Sequence, residues 1–125
     1  MKTCLIVDDS KIVRKVVRRI VEPLGFAILE AENGQEAVDQ TRANTVDVII
    51  LDWNMPVMDG MECMKVIRAD PSLTQPKIIF CTTENEFSKI QQAIMNGADE
   101  YVMKPFDESI IAGKMVQLGI IDEAQ

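Results

Sequence analysis

Apolar residues in this chain come in short runs that return at intervals. Those at residues 3–7, 26–29, 46–51 and 77–81, with a weaker one at 100–103, have the β-branched or aromatic content of strands. The stretches between them have helical spacing. Ile12, Val13, Val16, Val17, Ile20 and Val21 repeat at i, i+4 and i+8, which predicts a first helix with that side buried. Asn33 with Glu36 and Asp59 with Glu62 have the spacing of capping boxes. Asn96-Gly97 and Gly119 read as helix stops, and a last helix is predicted over 108–118. Strict alternation of strand and helix, with strands apolar on both faces, predicts an α/β domain: a doubly wound parallel sheet with helices on each side. With no internal repeat, low-complexity tract or Gly/Ser linker, residues 1–125 are expected to form a single domain with no effector domain attached.

Composition narrows the chemistry. A net charge of −7 disfavours nucleic acid as a partner. The longest apolar runs, such as 4–7 and 48–51, are four residues long, against the ~18 of a membrane span. Asp8-Asp9 interrupts the N-terminus before a signal-peptide core can form, so a cytoplasmic location is expected. Of three cysteines, Cys4 and Cys81 lie within apolar runs and read as small buried hydrophobes in a reducing compartment. Histidine is absent, which excludes Ser-His and Cys-His catalysis and His-ligated zinc. Carboxylates, hydroxyls and amines remain.

In an open parallel sheet the ligand site lies beyond the carboxyl ends of the strands. The residues just past the runs are Asp8-Asp9, Asp52, Thr82-Thr83 and Lys104-Pro105. A lone Asp there is more often a turn or cap residue, and Thr82 or Lys104 alone would read as a turn residue or a solvated lysine. Their combination at four strand ends favours chemistry. Converging carboxylates raise one another's pKa unless a cation neutralises them, and hard oxygen ligands suit Mg²⁺. Lys104 and a Thr hydroxyl would hold phosphoryl oxygens, while a carboxylate, with Asp52 the central candidate, acts as a nucleophile toward phosphorus.

These residues also resemble a known family. Val7-Asp8-Asp9-Ser10, the run from Leu51-Asp52-Trp53-Asn54-Met55-Pro56 to Asp59-Gly60, Thr82-Thr83-Glu84, Asn96-Gly97-Ala98-Asp99-Glu100-Tyr101 and Lys104-Pro105-Phe106 are similar to the motifs of two-component response regulator receiver domains, above all the single-domain chemotaxis regulators. The resemblance covers the whole chain. It implies a flavodoxin-like five-stranded parallel sheet, order 2-1-3-4-5, with five helices. It implies that Asp52 accepts a phosphoryl group from a histidine kinase or histidine phosphotransfer protein. Asp9, Asp52 and the Asn54 backbone carbonyl would bind Mg²⁺ (with Mn²⁺ as a substitute), and Asp8 would assist through water. Thr82, favoured over Thr83 by spacing, and Lys104 would contact phosphoryl oxygens. Thr82 and Tyr101 would form the switch, Asn54 and Glu84 would tune acyl-phosphate lifetime, and Lys104-Pro105 would be joined by a cis peptide bond. Phosphorylation and dephosphorylation would be self-catalysed, in a regulator rather than an enzyme.

Output is then expected as phosphorylation-dependent protein binding on the face of the fourth helix, fifth strand and fifth helix. A chemotaxis or motor-type target is favoured over a role as phosphorelay intermediate or phosphate sink. A monomer is expected, with dimerisation on phosphorylation as the alternative. Two other classes fit less well. A haloacid-dehalogenase-like phosphohydrolase wants Asp-x-Asp after its first strand, and a flavin carrier would find its phosphate repelled by Asp8-Asp9. Charge is also uneven: the first nineteen residues carry six basic and two acidic side chains, a net of +4, leaving −11 for the rest. Lys11, Arg14, Lys15, Arg18 and Arg19 share one helix face, read by default as a solvated surface and functionally as a docking face for an acidic kinase or phosphotransfer partner.

Overall fold

The computed structural model describes residues 1–83, 87–104 and 107–121. Along the chain run β1 (Thr3–Val7), α1 (Lys11–Val21), a 3₁₀ turn (Glu22–Leu24), β2 (Ala27–Ala31), α2 (Gly34–Ala43), β3 (Val48–Asp52), α3 (Gly60–Ala69), β4 (Lys77–Thr82), α4 (Phe87–Met95), β5 (Glu100–Met103) and α5 (Glu108–Gln117). The strands form one sheet in the order β2-β1-β3-β4-β5, every neighbouring pair parallel. This is the flavodoxin-like, doubly wound arrangement that alternation and resemblance predict.

Strand periodicity explains how one sheet serves two cores. Leu5, Val7, Ile49, Leu51, Ile78 and Phe80 point to one side, where they meet Ala37, Val38, Met64, Ile67 and Ala93 of α2, α3 and α4. Their neighbours Cys4, Ile6, Val48, Ile50, Ile79 and Cys81 point to the other, against Val17, Val21, Ile111 and Met115 of α1 and α5. The three cysteines are free and buried. No helix among the described residues is long and apolar enough to cross a membrane.

Element boundaries depart from the sequence reading where tertiary contacts intervene. The second strand runs over Ala27–Ala31 rather than 26–29. Charged Glu30 reads as a strand end, yet Arg14 and Arg18 bind its carboxylate at 3.0 and 2.8 Å. The third strand begins at Val48 rather than Val46. Val46 is buried ahead of it, and Asp47 turns its carboxylate to accept from the Thr3 N–H at 2.7 Å. The fifth helix ends at Gln117, one residue early, with Gly119 at φ +73 beyond it. In α1 Val17 and Val21 are buried and Val13 and Ile20 pack beside them, whereas Ile12 and Val16 are 76% and 47% exposed. Asp59 and Glu62 form a full capping box. Asn33 caps α2, but Glu36 reaches back to the Glu32 N–H instead of the cap residue.

Candidate functional site

Parallel pairing brings the carboxyl ends of β1, β3, β4 and β5 to one edge. Val7 lies beside Leu51, Asp52 beside Cys81, and Thr82 beside Met103. The sequence therefore delivers its polar residues to one place: one carboxylate oxygen from each of Asp8, Asp9 and Asp52 lies within 4.8 Å of the other two. Asp8 and Asp52 are buried and Asp9 is exposed. Lys104 reaches in from the end of β5, its Nζ 2.7 Å from Asp8 Oδ2 and 2.9 Å from Asp52 Oδ1.

The electrostatics follow from this crowding. Burial pushes the Asp52 carboxyl above its ordinary range; the Lys104 ammonium pulls it back without prevailing, and Asp8 and Asp9 add to the upward push. Burial also works against the Lys104 charge, but the two carboxylates outweigh it and hold the ammonium above its usual value. One ammonium faces three carboxylates, so net negative charge remains. Hard oxygen donors, converging and with one carboxylate open to solvent, fit a divalent cation such as Mg²⁺ that keeps part of its water shell.

Local structure fixes each carrier. Ser10 caps α1 by accepting from the Val13 N–H at 3.2 Å, and its own N–H binds Asp8 Oδ1 at 2.9 Å. The main chain of Asp8 is held at both ends: its N–H donates to the Ala31 carbonyl at 3.1 Å, and its carbonyl accepts from Arg14 at 2.7 Å. After Asp52 the loop folds back on itself, the Gly60 N–H meeting the Trp53 carbonyl at 2.9 Å. Trp53 stands edge-on to Phe80 with centroids 5.1 Å apart, and Lys89 Nζ lies 5.5 Å from its ring centre. Exposed Asn54 sits in this loop, two residues past Asp52. Met55 and Met58 are half-buried against the α2/α3 core, which makes them packing residues more than site lining.

Thr82 is buried at the end of β4, and its carbonyl accepts from the Lys104 N–H at 2.9 Å. Thr83 is exposed. Tyr101 is half-buried on β5, with Lys114 Nζ 5.8 Å from its ring centre. Glu84, Pro105 and therefore the Lys104-Pro105 peptide lie outside the described residues.

Three contributors escape sequence reasoning. Gly60 closes a motif run without an assigned role, yet a Cβ there would meet the Asp52 carbonyl. Arg14 reads as one of five basic helix residues, but it and Arg18 turn inward to Glu30, leaving Lys11, Lys15 and Arg19 as the exposed cations of α1. Arg68 carries no motif signal, and Asp99 stands in a motif run that gives no hint of this partner. Arg68 donates to the Gly97 and Pro76 carbonyls and to Asp99, whose carboxylate also accepts from the Ile78 N–H, so α3 is tied to the start of β4 and the turn before β5.

Comparison with known proteins agrees with this geometry. Residues 4–115 match the family model of the response regulator receiver domain. The chain is 38% identical over 121 residues to chemotaxis protein CheY1 of Helicobacter pylori, covering 94% of this chain and 98% of that protein. It is also 38% identical over 113 residues to a CheY homolog of Campylobacter jejuni, covering 89% and 87%. Among solved structures, chemotaxis response regulator CheY4 of Vibrio cholerae superposes with a TM-score of 0.87 at 32% identity, covering 94% of this chain and 98% of that one. The CheX-CheY-BeF3-Mg²⁺ complex from Borrelia burgdorferi gives 0.86 at 26% identity, covering 94% and 89%.

Proposed function

The chain belongs to the response regulator receiver domains, phosphoacceptor modules of signalling proteins, and we propose that Asp52 is the residue on which it accepts the phosphoryl group. The observation that carries this reading is the convergence on Asp52: a buried carboxylate at the end of the central strand, within reach of two further carboxylates and of Lys104. An Asp52 carboxylate oxygen attacks phosphorus in line. The bond from phosphorus to the donor's imidazole nitrogen breaks as the acyl phosphate forms, and the electron pair leaves with the imidazole. Lys104, released from its pairing, follows the new charge onto a phosphoryl oxygen, and the Thr82 hydroxyl holds another. Asp9, Asp52 and the Asn54 carbonyl, with Asp8 assisting through water, would hold Mg²⁺, or Mn²⁺ in its stead, which would supply charge neutralisation. Dephosphorylation is the attack of water on the same phosphorus, returning Asp52 as carboxylate, with Asn54 and Glu84 tuning its rate.

Output in this reading is a change in binding. Thr82, drawn toward the phosphoryl group, vacates space into which the Tyr101 ring turns. That changes a surface on which Ile94, Met95, Met103 and Ile110 already expose apolar area. A histidine kinase or histidine phosphotransfer protein delivers the phosphoryl group, and a chemotaxis-type target reads this face. The protein works in the cytoplasm, as a monomer before phosphorylation. The test is incubation with Mg²⁺ and a small acyl phosphate donor. One alkali-labile phosphoryl mass should be gained by the protein and lost in Asp52→Asn; equal labelling of both would overturn the assignment.

A further inference from the structure

The two carboxylates after β1 are anchored very differently. Asp8 is buried and bound through its side chain to Ser10 and Lys104, whereas the exposed Asp9 carboxylate makes no hydrogen bond among the described residues. Where Asp9 points is therefore set by its main chain, and above all by the peptide plane between Asp8 and Asp9. Among the described residues, that plane has one side-chain handle. Arg14 Nη1 donates to the Asp8 carbonyl at 2.7 Å, while Arg14 Nε donates to Glu30 Oε1 at 3.0 Å. Glu30 is braced in turn by Arg18 at 2.8 Å. The Arg14 side chain is only 13% exposed, so this link is shielded, unlike the outer Arg18–Glu22 pair.

We propose that Arg14 is a positioning residue for divalent-cation binding: by clamping the Asp8 carbonyl against Glu30 of β2, it aims Asp9 at the cation shared with Asp8 and Asp52. This rests on the reading of the acidic cluster as a cation site. Partners that orient ligands from behind typically contribute about 10- to 100-fold to metal affinity. The sign of the effect separates this role from the alternatives. Arg14 is a cation close to a cation site, so if its charge alone mattered, its removal would tighten Mg²⁺ binding. If it were only a structural brace between α1 and β2, its removal would lower the melting temperature and leave the affinity unchanged. A positioning residue weakens binding on removal, in spite of the repulsion relieved.

The experiment is calorimetric titration of the whole chain with MgCl₂, beside thermal unfolding in chelator. Arg14→Met should raise the Mg²⁺ dissociation constant about tenfold, the lower end of what such outer partners contribute. Arg14→Lys, which keeps the charge and can reach only one of the two acceptors, should recover part of the loss. Should Arg14→Met not fold, Arg14→Lys carries the test through its smaller loss. Unchanged or tighter binding in the folded variants, with the wild type binding Mg²⁺, overturns the role of Arg14 alone. A wild type that takes up no Mg²⁺ overturns the cation site itself and this inference with it.

Discussion

A Cβ built on Gly60 would collide with the backbone carbonyl oxygen of Asp52. The first turn of α3 therefore lies directly against the main chain of the proposed phosphoacceptor, and the Gly60 N–H bonded to Trp53 closes the loop at that point. Asp59 can cap α3 beside the site only because its successor has no side chain.

Gly60→Ala is accordingly expected to destabilise the fold by about 1–3 kcal/mol, the usual cost of overpacking. The contact is with main chain, which cannot rotate away. Because the displaced group is the Asp52 carbonyl, Mg²⁺ affinity should fall as well. Urea unfolding and calorimetry on one sample check both, and an Ala variant as stable as wild type would contradict the geometry.

Asp52→Asn should melt higher than wild type at neutral pH in chelator. The sign follows from linkage: a carboxyl raised above its ordinary 3.8 in the folded state favours the protonated form, so folding loses stability as pH rises through the native value. An amide of the same shape avoids that loss, and Asp8 still pairs with Lys104. Saturating Mg²⁺ should narrow the gap by stabilising wild type more than the variant. A lower melting temperature for Asp52→Asn in chelator would mean that its pairing with Lys104 outweighs the burial of its charge.

Glu30 runs the other way. Burial would raise its carboxyl, but the hydrogen bonds from Arg18 and Arg14 prevail and hold it below its ordinary 4.5. Its contribution is therefore present above pH 4.5 and lost as pH falls through the depressed native value. In Glu30→Gln the acid limb of the stability curve should be shallower there. The pair is partly exposed, so the difference should be about 1 kcal/mol or less. Superimposable acid limbs would exclude the contribution.

Val57 sits at φ +69 with its side chain 82% exposed. A β-branched residue in the left-handed region costs about 1–2 kcal/mol and here gains no burial in return. Val57→Asn should recover about 1 kcal/mol on denaturant unfolding, Asn being among the side chains that accept this backbone. A less stable variant would show that the Val57 methyls contribute contacts worth more than the strain.

The alternation of apolar runs, the motif residues at their ends and the helix caps were legible in the chain, because each is a local property: strand and helix periods, turn chemistry, a side chain's own donors and acceptors. From these come the α/β class, the shared edge of Asp8, Asp9, Asp52, Thr82 and Lys104, and Asp59 as a helix start. Other features existed only once distant segments met. Glu30 continues β2 because two arginines of α1 neutralise it, and two of the five basic residues of the predicted docking face of α1 are spent on that contact. Ile12 and Val16 have the period of core residues and remain exposed, while Val13, Val17, Ile20 and Val21 are the residues of α1 that meet the core. Gly60 and Arg14 matter through main-chain carbonyls of Asp52 and Asp8, groups that every residue carries and that no sequence pattern distinguishes.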